Sequence, residues 1–245
     1  MSKNDNLSGR GLKRSLSASI RQRQCEGRFP VISEVKVRSE KEGDLLCGRD
    51  PATFAREMVW CPVAGISVVT EPEHFGGYMG LLSAVSAAVE IPVLHKDFIT
   101  TERQIEESAA CGASAILLIT EMLEMRQMER LIEKARSCGL ETLVEAHGLA
   151  EVRKVQNLSF DLMGINNRDI TILEVDDTDV SKTEELAGCC KGSRILISES
   201  SISSAADVLR AGRSGADAVL VGTAVLKAEN MRHFLDELTS VGWPP

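Results

Sequence analysis

Val31-Ile32-Ser33-Glu34-Val35-Lys36 is a short apolar run that closes on charged residues, and it is the first of eight such runs. The others fall near Gly65 to Thr70, Pro92 to Lys96, Ala115 to Ile119, Thr142 to Glu145, Leu162 to Asn166, Ile195 to Ser198 and Ala218 to Val221. Each is nearly continuous in its apolar character, as a strand buried on both faces must be. Amphipathic, charge-bearing stretches separate them, and successive runs lie roughly 20 to 35 residues apart, the length that one βα unit with its loops takes. Cys111-Gly112-Ala113 and Ser214-Gly215-Ala216 put a flexible residue where a helix must end before the next run. Eight such units predict an α/β fold, a single (β/α)8 TIM barrel over residues 29–245. A doubly wound open sheet shows the same alternation but places its ligand chemistry at one or two crevices. Here the downstream ends of most runs carry chemistry, in Lys36, Thr70, Lys96, Glu145, Asn166 and Ser200.

Composition agrees with one soluble domain. Of 245 residues, 43% are hydrophobic and 26% charged, enough for a sizeable core and too balanced for a disordered chain. The formal net charge of −8 hides an asymmetry, because residues 1–28 hold seven Lys/Arg against two Asp/Glu and leave about −13 on the remainder. That balance argues against a nucleic-acid or membrane surface. No apolar stretch reaches the roughly 18 residues of a membrane span, and the N-terminus lacks the apolar core of a secretory signal, so a cytoplasmic protein is expected. The acid-free stretch Leu7 to Arg23 superficially suits a transit peptide, yet Leu12, Leu16 and Ile20 form one stripe at helical spacing and predict an extra, packed N-terminal helix. Seven cysteines and four histidines show no ligand spacing, which predicts reduced structural thiols and no metal.

Side chains alternate along a strand, so Glu34 and Lys36 share a face. Inward layers of a barrel draw on alternate strands, which lets Lys36, Lys96, Glu145 and the Ser198–Ser200 segment converge from the first, third, fifth and seventh strands. Uncompensated buried charge costs several kcal/mol, so the cluster must balance itself or receive an anionic ligand. Ser198-Glu199-Ser200-Ser201 and Val221-Gly222-Thr223, following the seventh and eighth runs, stand where this fold commonly holds phosphate. Glu71-Pro72-Glu73-His74-Phe75-Gly76-Gly77 reads as a structured loop at the same rim.

Six stretches, in order, resemble the signatures of the indole-3-glycerol phosphate synthase family: Val31 to Lys36, Ile66 to Pro72 with Phe75-Gly76-Gly77, Pro92 to Phe98, Leu143 to His147, Gly164 to Asp169, and Ser198 to Ser200. The resemblance spans roughly Phe29 to Ala228. It implies conversion of 1-(2-carboxyphenylamino)-1-deoxyribulose 5-phosphate to indole-3-glycerol phosphate, a decarboxylating and dehydrating ring closure in tryptophan biosynthesis that needs no cofactor. By matching motif, Lys96 resembles the general acid and Glu145 the acid/base partner in dehydration. Lys36 resembles the group that holds the anthranilate carboxylate or the developing charge, and Glu34 and Asn166 those that orient the sugar hydroxyls and the lysines. The likeness further implies that Arg168 and Glu199 form a supporting charge pair, that Phe98 packs on the aromatic ring, and that Ser200, Ser201, Gly222 and Thr223 bind phosphate. It also implies that the basic segment 1–28 lies across the barrel mouth. Acid catalysis at neutral pH calls for a lysine of lowered pKa, which places Lys36 and Lys96 as mutual modulators. Replacing Lys96 is expected to abolish ring closure with folding intact.

Two positions depart from the pattern. Where the family continues from the first lysine to Ser-Pro, Ser39 is followed by Glu40 in the stretch Glu40-Lys41-Glu42-Gly43-Asp44; where it has Gly after the last serine, Ser201 stands. Another phosphosugar barrel, such as a phosphoribosylanthranilate isomerase or a tryptophan synthase α chain, shares the phosphate loops without needing both lysines, Glu145 and Asn166. An idle barrel acting as a binding subunit is the reading from a different class. The sequence leaves a monomer or homodimer open.

Overall fold

The computed structural model describes residues 14–168, 179–190 and 194–245. In chain order the elements are α1 (Leu16–Cys25), β1 (Val31–Val35), β2 (Arg38–Ser39), β3 (Gly43–Asp44), α2 (Pro51–Met58), β4 (Gly65–Val69), α3 (Met79–Ala88), β5 (Val93–Lys96), α4 (Glu102–Ala110), β6 (Ala115–Ile119) and α5 (Met125–Ser137). There follow β7 (Glu141–Ala146), α6 (Leu149–Val155), β8 (Leu162–Asn166), α7 (Ser181–Leu186), β9 (Ile195–Glu199), α8 (Ala205–Arg213), β10 (Ala218–Val221), α9 (Thr223–Lys227) and α10 (Met231–Thr239). Eight strands pair in parallel, and β1 closes the ring by pairing with both β4 and β10. Each of the eight predicted strands is present, with ends displaced by no more than one residue. The short antiparallel pair β2–β3 is an addition on the rim after β1.

Two apolar layers follow from the strand alternation. Val31 and Val35 of β1, Val93 of β5, Val144 of β7 and Leu196 of β9 face the helices, whereas Ile32, Leu94, Leu143, Ile195 and Ile197 fill the barrel. Continuing each inner column toward the C-terminal end of its strand replaces an apolar residue by Glu34, Lys96, Glu145 or Glu199. Below this level the barrel is a packed core, and above it lies chemistry.

Helix α1 corrects one expectation. Its Leu16 and Ile20 are fully buried and join the inner cluster with Ile32, Ala64, Leu162 and Ala218. A Cβ on Gly65, the first residue of β4, would stand 2.7 Å from a Leu16 methyl, so glycine there makes room for the plug. The Glu141 carboxylate at the start of β7 accepts from Ser15 Oγ and the Leu16 and Ser17 N–H groups, the charge a helix N-terminus favours. Ser19 donates to the Ala64 carbonyl, and Arg21 pairs with Asp217 just before β10 at 2.8 Å. All of these partners sit at strand beginnings. Residues 14–28 therefore close the barrel floor rather than its mouth, because the apolar stripe is used to seal the open bottom of the inner core. Residues 1–13, with Leu12, and Asp169 lie outside the described residues. Among the described residues no helix is long and apolar enough to cross a membrane.

Candidate active site

At the C-terminal end of the barrel an open cleft is lined by Glu34, Lys36, Lys96, Phe98, Glu145, Asn166, Arg168 and Ser200, with Val69, Phe75, Leu117 and Ile119 as apolar wall. A second, adjoining space shares Glu34, Lys36, Lys96, Arg168 and Ser200 and continues to Ser201, Ser203, Gly222, Thr223 and Lys227. The two make one cleft with an apolar, aromatic end and a hydroxyl-rich, cationic end. Eight of the residues expected from the sequence line its first part, and Ser201, Gly222 and Thr223 line its second.

Lys96 is the hub. Its Nζ stands 3.2 Å from Glu199 Oε2, 3.8 Å from Glu145 Oε2 and 3.9 Å from Glu34 Oε2, and its side chain is 18% exposed. Lys36 Nζ lies 3.7 Å from the other Glu34 oxygen, 3.4 Å from Thr223 Oγ1 and 5.5 Å from the Phe75 ring centre. Glycines make these approaches feasible. A Cβ on Gly164 would stand 2.1 Å from Glu199 Oε1, and one on Gly222 would stand 2.4 Å from Glu34 Oε1. Glycine on β8 and after β10 thus opens the inner layer for long acidic side chains.

This arrangement replaces the charge pair expected between Arg168 and Glu199, because Glu199 is the inward residue of β9 and is drawn fully into the barrel beside Lys96. Ser198, one residue earlier, faces outward and bonds Asn167 and Thr183. Thr70 likewise turns away from the cleft, to His95 Nε2 at 2.6 Å, while His95 Nδ1 meets Ser108 of α4. That outer network braces the end of β5 behind Lys96.

The electrostatics correct a second expectation. Burial acts to lower the Lys96 pKa, but Glu199, Glu34 and Glu145 outweigh it and hold the ammonium well above the usual lysine range. Neighbouring Lys36 does not dominate. Glu145, fully buried, is nevertheless held below the ordinary carboxyl value by Lys96 and His147. Glu199 is pushed up by burial and by the Glu145 charge, so it is the carboxyl that keeps a proton near neutrality. Glu145 Oε2 and both Glu199 oxygens are buried and make no hydrogen bond among the described residues, so the Lys96 ammonium at 3.8 and 3.2 Å is what compensates them.

His147 is a residue the motif contained but whose part was not foreseen. Its Nε2 lies 3.4 Å from Glu145 Oε1 and its Nδ1 3.4 Å from Glu151, on a side chain 8% exposed. Burial opposes its charge, yet the two carboxylates raise its pKa to about 9. Glu71, to which neither the loop nor the family signature assigns a part, accepts with its carboxylate from the N–H groups of Glu73, His74 and Phe75 and so fixes the Phe75 wall. Glu71, Glu73 and His74 cluster within 4.8 Å, but with Glu71 committed to backbone amides they serve as a loop staple.

Fold and site together define a (β/α)8-barrel protein with a buried lysine–carboxylate cluster at its C-terminal mouth. A family model described as indole-3-glycerol phosphate synthase matches residues 4–238. An indole-3-glycerol phosphate synthase of Pyrococcus furiosus is 44% identical over 220 residues, 90% of this chain and 94% of its own length. Those of Thermococcus kodakarensis and Halobacterium salinarum are 40% identical over 226 residues, covering 92% and 97%, and 39% over 214, covering 87% and 82%. The chain belongs to the indole-3-glycerol phosphate synthase family.

Proposed function

We propose that this chain closes the pyrrole ring of 1-(2-carboxyphenylamino)-1-deoxyribulose 5-phosphate, releasing one carbon dioxide and one water to give indole-3-glycerol phosphate, in the cytoplasm and without a cofactor. The observation that carries this reading is the Lys96 ammonium held among Glu199, Glu145 and Glu34 at the junction of an apolar and an anion-seeking half-cleft. Phe75, Phe98, Leu117 and Ile119 suit the aromatic ring, and Ser200, Ser201, Gly222 and Thr223 suit the phosphate. Lys36 and Arg168 line both halves and supply positive charge for the carboxylate and the phosphate.

In the first step Lys96 Nζ–H protonates the ribulose carbonyl oxygen while the ring carbon that bears the carboxylate attacks the carbonyl carbon. The carbon–carboxylate bond then breaks, its electron pair restores the aromatic ring, and carbon dioxide leaves toward the apolar end. Glu145 acts in the elimination of the new hydroxyl as water, with His147 holding its carboxylate and Asn166 beside it. The raised pKa of Lys96 makes it a reluctant acid when its three carboxylates are charged. The proton kept by Glu199 weakens that hold, and a substrate hydroxyl bonded to Glu34 weakens it further. The net charge of −8 argues against a nucleic-acid partner.

Turnover is followed by the fluorescence of the indole product from the carboxyphenylamino substrate. Wild-type turnover lost in Glu145→Gln and Lys96→Met supports the reading. Binding of indole-3-glycerol phosphate without any turnover would mean an idle barrel, and neither binding nor turnover a different substrate.

A further inference from the structure

The acidic stretch after β1 departs from the family pattern and reaches into the phosphate end of the cleft. Glu42 lies in the turn between β2 and β3, and its carboxylate meets Lys227 Nζ, the last residue of α9, at 2.5 Å. Both line the space that holds Ser200, Ser201, Gly222 and Thr223. An acid in a pocket suited to an anion repels that anion unless it moves. Only the Glu42 side chain has to move, because its backbone N–H is held by Ser39 Oγ, and the space beside the next residue is open, with nothing within 4 Å of where a Cβ on Gly43 would stand. The Lys227 side chain is 53% exposed and that of Glu42 25%, so solvent screens the pair and it is weak compared with a phosphate dianion bonded to the same ammonium.

We propose that Lys227 is an additional phosphate contact of this enzyme and that Glu42 covers it as an internal counter-anion, which the phosphate of the substrate displaces by turning the Glu42 side chain outward. The inference rests on the reading that this end of the cleft takes the phosphate. It gives the altered rim loop a role in selectivity: a neutral sugar cannot displace Glu42, whereas a dianion can, so the pair discriminates against unphosphorylated analogues. No covalent change is involved, only the exchange of one anion for another on one ammonium.

Inorganic phosphate alone is the probe, titrated into the full-length protein by calorimetry and as a competitive inhibitor of turnover. Glu42→Gln is expected to tighten phosphate and lower KM by about 3- to 10-fold at low ionic strength, and Lys227→Met to weaken phosphate by a similar factor. The decisive measurement is the double variant, in which the gain from Glu42→Gln disappears because the ammonium it freed is absent. Equal tightening by Glu42→Gln with or without Lys227 would reduce the effect to bulk charge and overturn the proposal. So would an unchanged phosphate affinity in Glu42→Gln while the wild type binds phosphate and turns over. Failure of every form, wild type included, to bind phosphate would instead overturn the phosphate assignment of this end together with the exchange. Both residues are at the surface, and matched urea midpoints serve as the folding control.

Discussion

Replacing Lys96 by Met keeps the side-chain stem and removes the charge that three carboxylates share. In the wild type the ammonium lies within 3.9 Å of Glu199, Glu145 and Glu34. Removing one member of a buried ion cluster costs about 3–5 kcal/mol. The lower end, about 3 kcal/mol, is expected here, because the Lys96 side chain retains 18% exposure and Glu199 already holds its proton near neutrality. The loss must depend on pH. In the wild type Glu145 has a lowered folded-state pKa, so it adds stability above its ordinary value of 4.5 that fades as pH falls through the folded value. Without Lys96 the same buried carboxyl shifts upward and penalises folding until it is protonated. The stability gap between wild type and variant is therefore widest near about pH 8 and narrows toward about pH 5. Urea unfolding of both proteins across that range measures the gap, and product fluorescence measures turnover, expected to fall by about 10²-fold or more. A gap independent of pH would refute the shared-charge account. Retention of more than about a tenth of turnover would refute the general-acid assignment.

Three further outcomes follow from other contacts. In Gly164→Ala the new methyl meets Glu199 Oε1 at 2.1 Å, so the carboxylate must move and kcat should drop by about 10²-fold with the far-ultraviolet dichroism of the barrel retained; wild-type kcat would mean Glu199 placement is immaterial. Ser201 has φ 59, in the left-handed region, so Ser201→Gly should raise stability in urea by about 0.5 kcal/mol after the entropy of the unfolded glycine is counted, and a loss would show that serine side-chain contacts outweigh the strain. His147 has its folded-state pKa raised from 6.5 to about 9, so its contribution to stability is full below the lower value and lost as pH rises through the higher one. His147→Asn should therefore cost most at about pH 6 and little above about pH 9.5, and a constant cost across that range would assign His147 a packing role only.

The barrel is legible in the chain because parallel strands buried on both faces must be short, apolar and regularly spaced. Lys36, Lys96 and Glu145 are legible because charged residues at the ends of such runs have no place in a core. Their meeting in one inner layer follows from strand alternation, and Lys96 indeed lies within ion-pair reach of both Glu34 and Glu145. Other features depend on three-dimensional neighbours that spacing does not reveal. The stripe of Leu16 and Ile20 demands an apolar seat without saying at which end of the barrel, and the seat is set by Gly65, Glu141 and Asp217, far along the chain. The direction of the Lys96 pKa turns on Glu199, whose inward position depends on β9 running one residue beyond its apolar stretch. Glu42 looks like an ordinary solvated loop acid until β2 and β3 fold it toward α9. Gly164 and Gly222 read as turn or strand punctuation, yet each is small because a glutamate needs its space.

The seal at the barrel floor sets an order on how the molecule is assembled. Helix α1 leaves the ribosome before any strand, but its moorings lie at Ala64, Glu141 and Asp217, the last of them 196 residues away. Barrel closure carries the same demand, since the first strand pairs with the last. Helix α1 must therefore wait, unmoored on its Asp217 side, until β10 has been made, and its seating is a late, long-range event in folding.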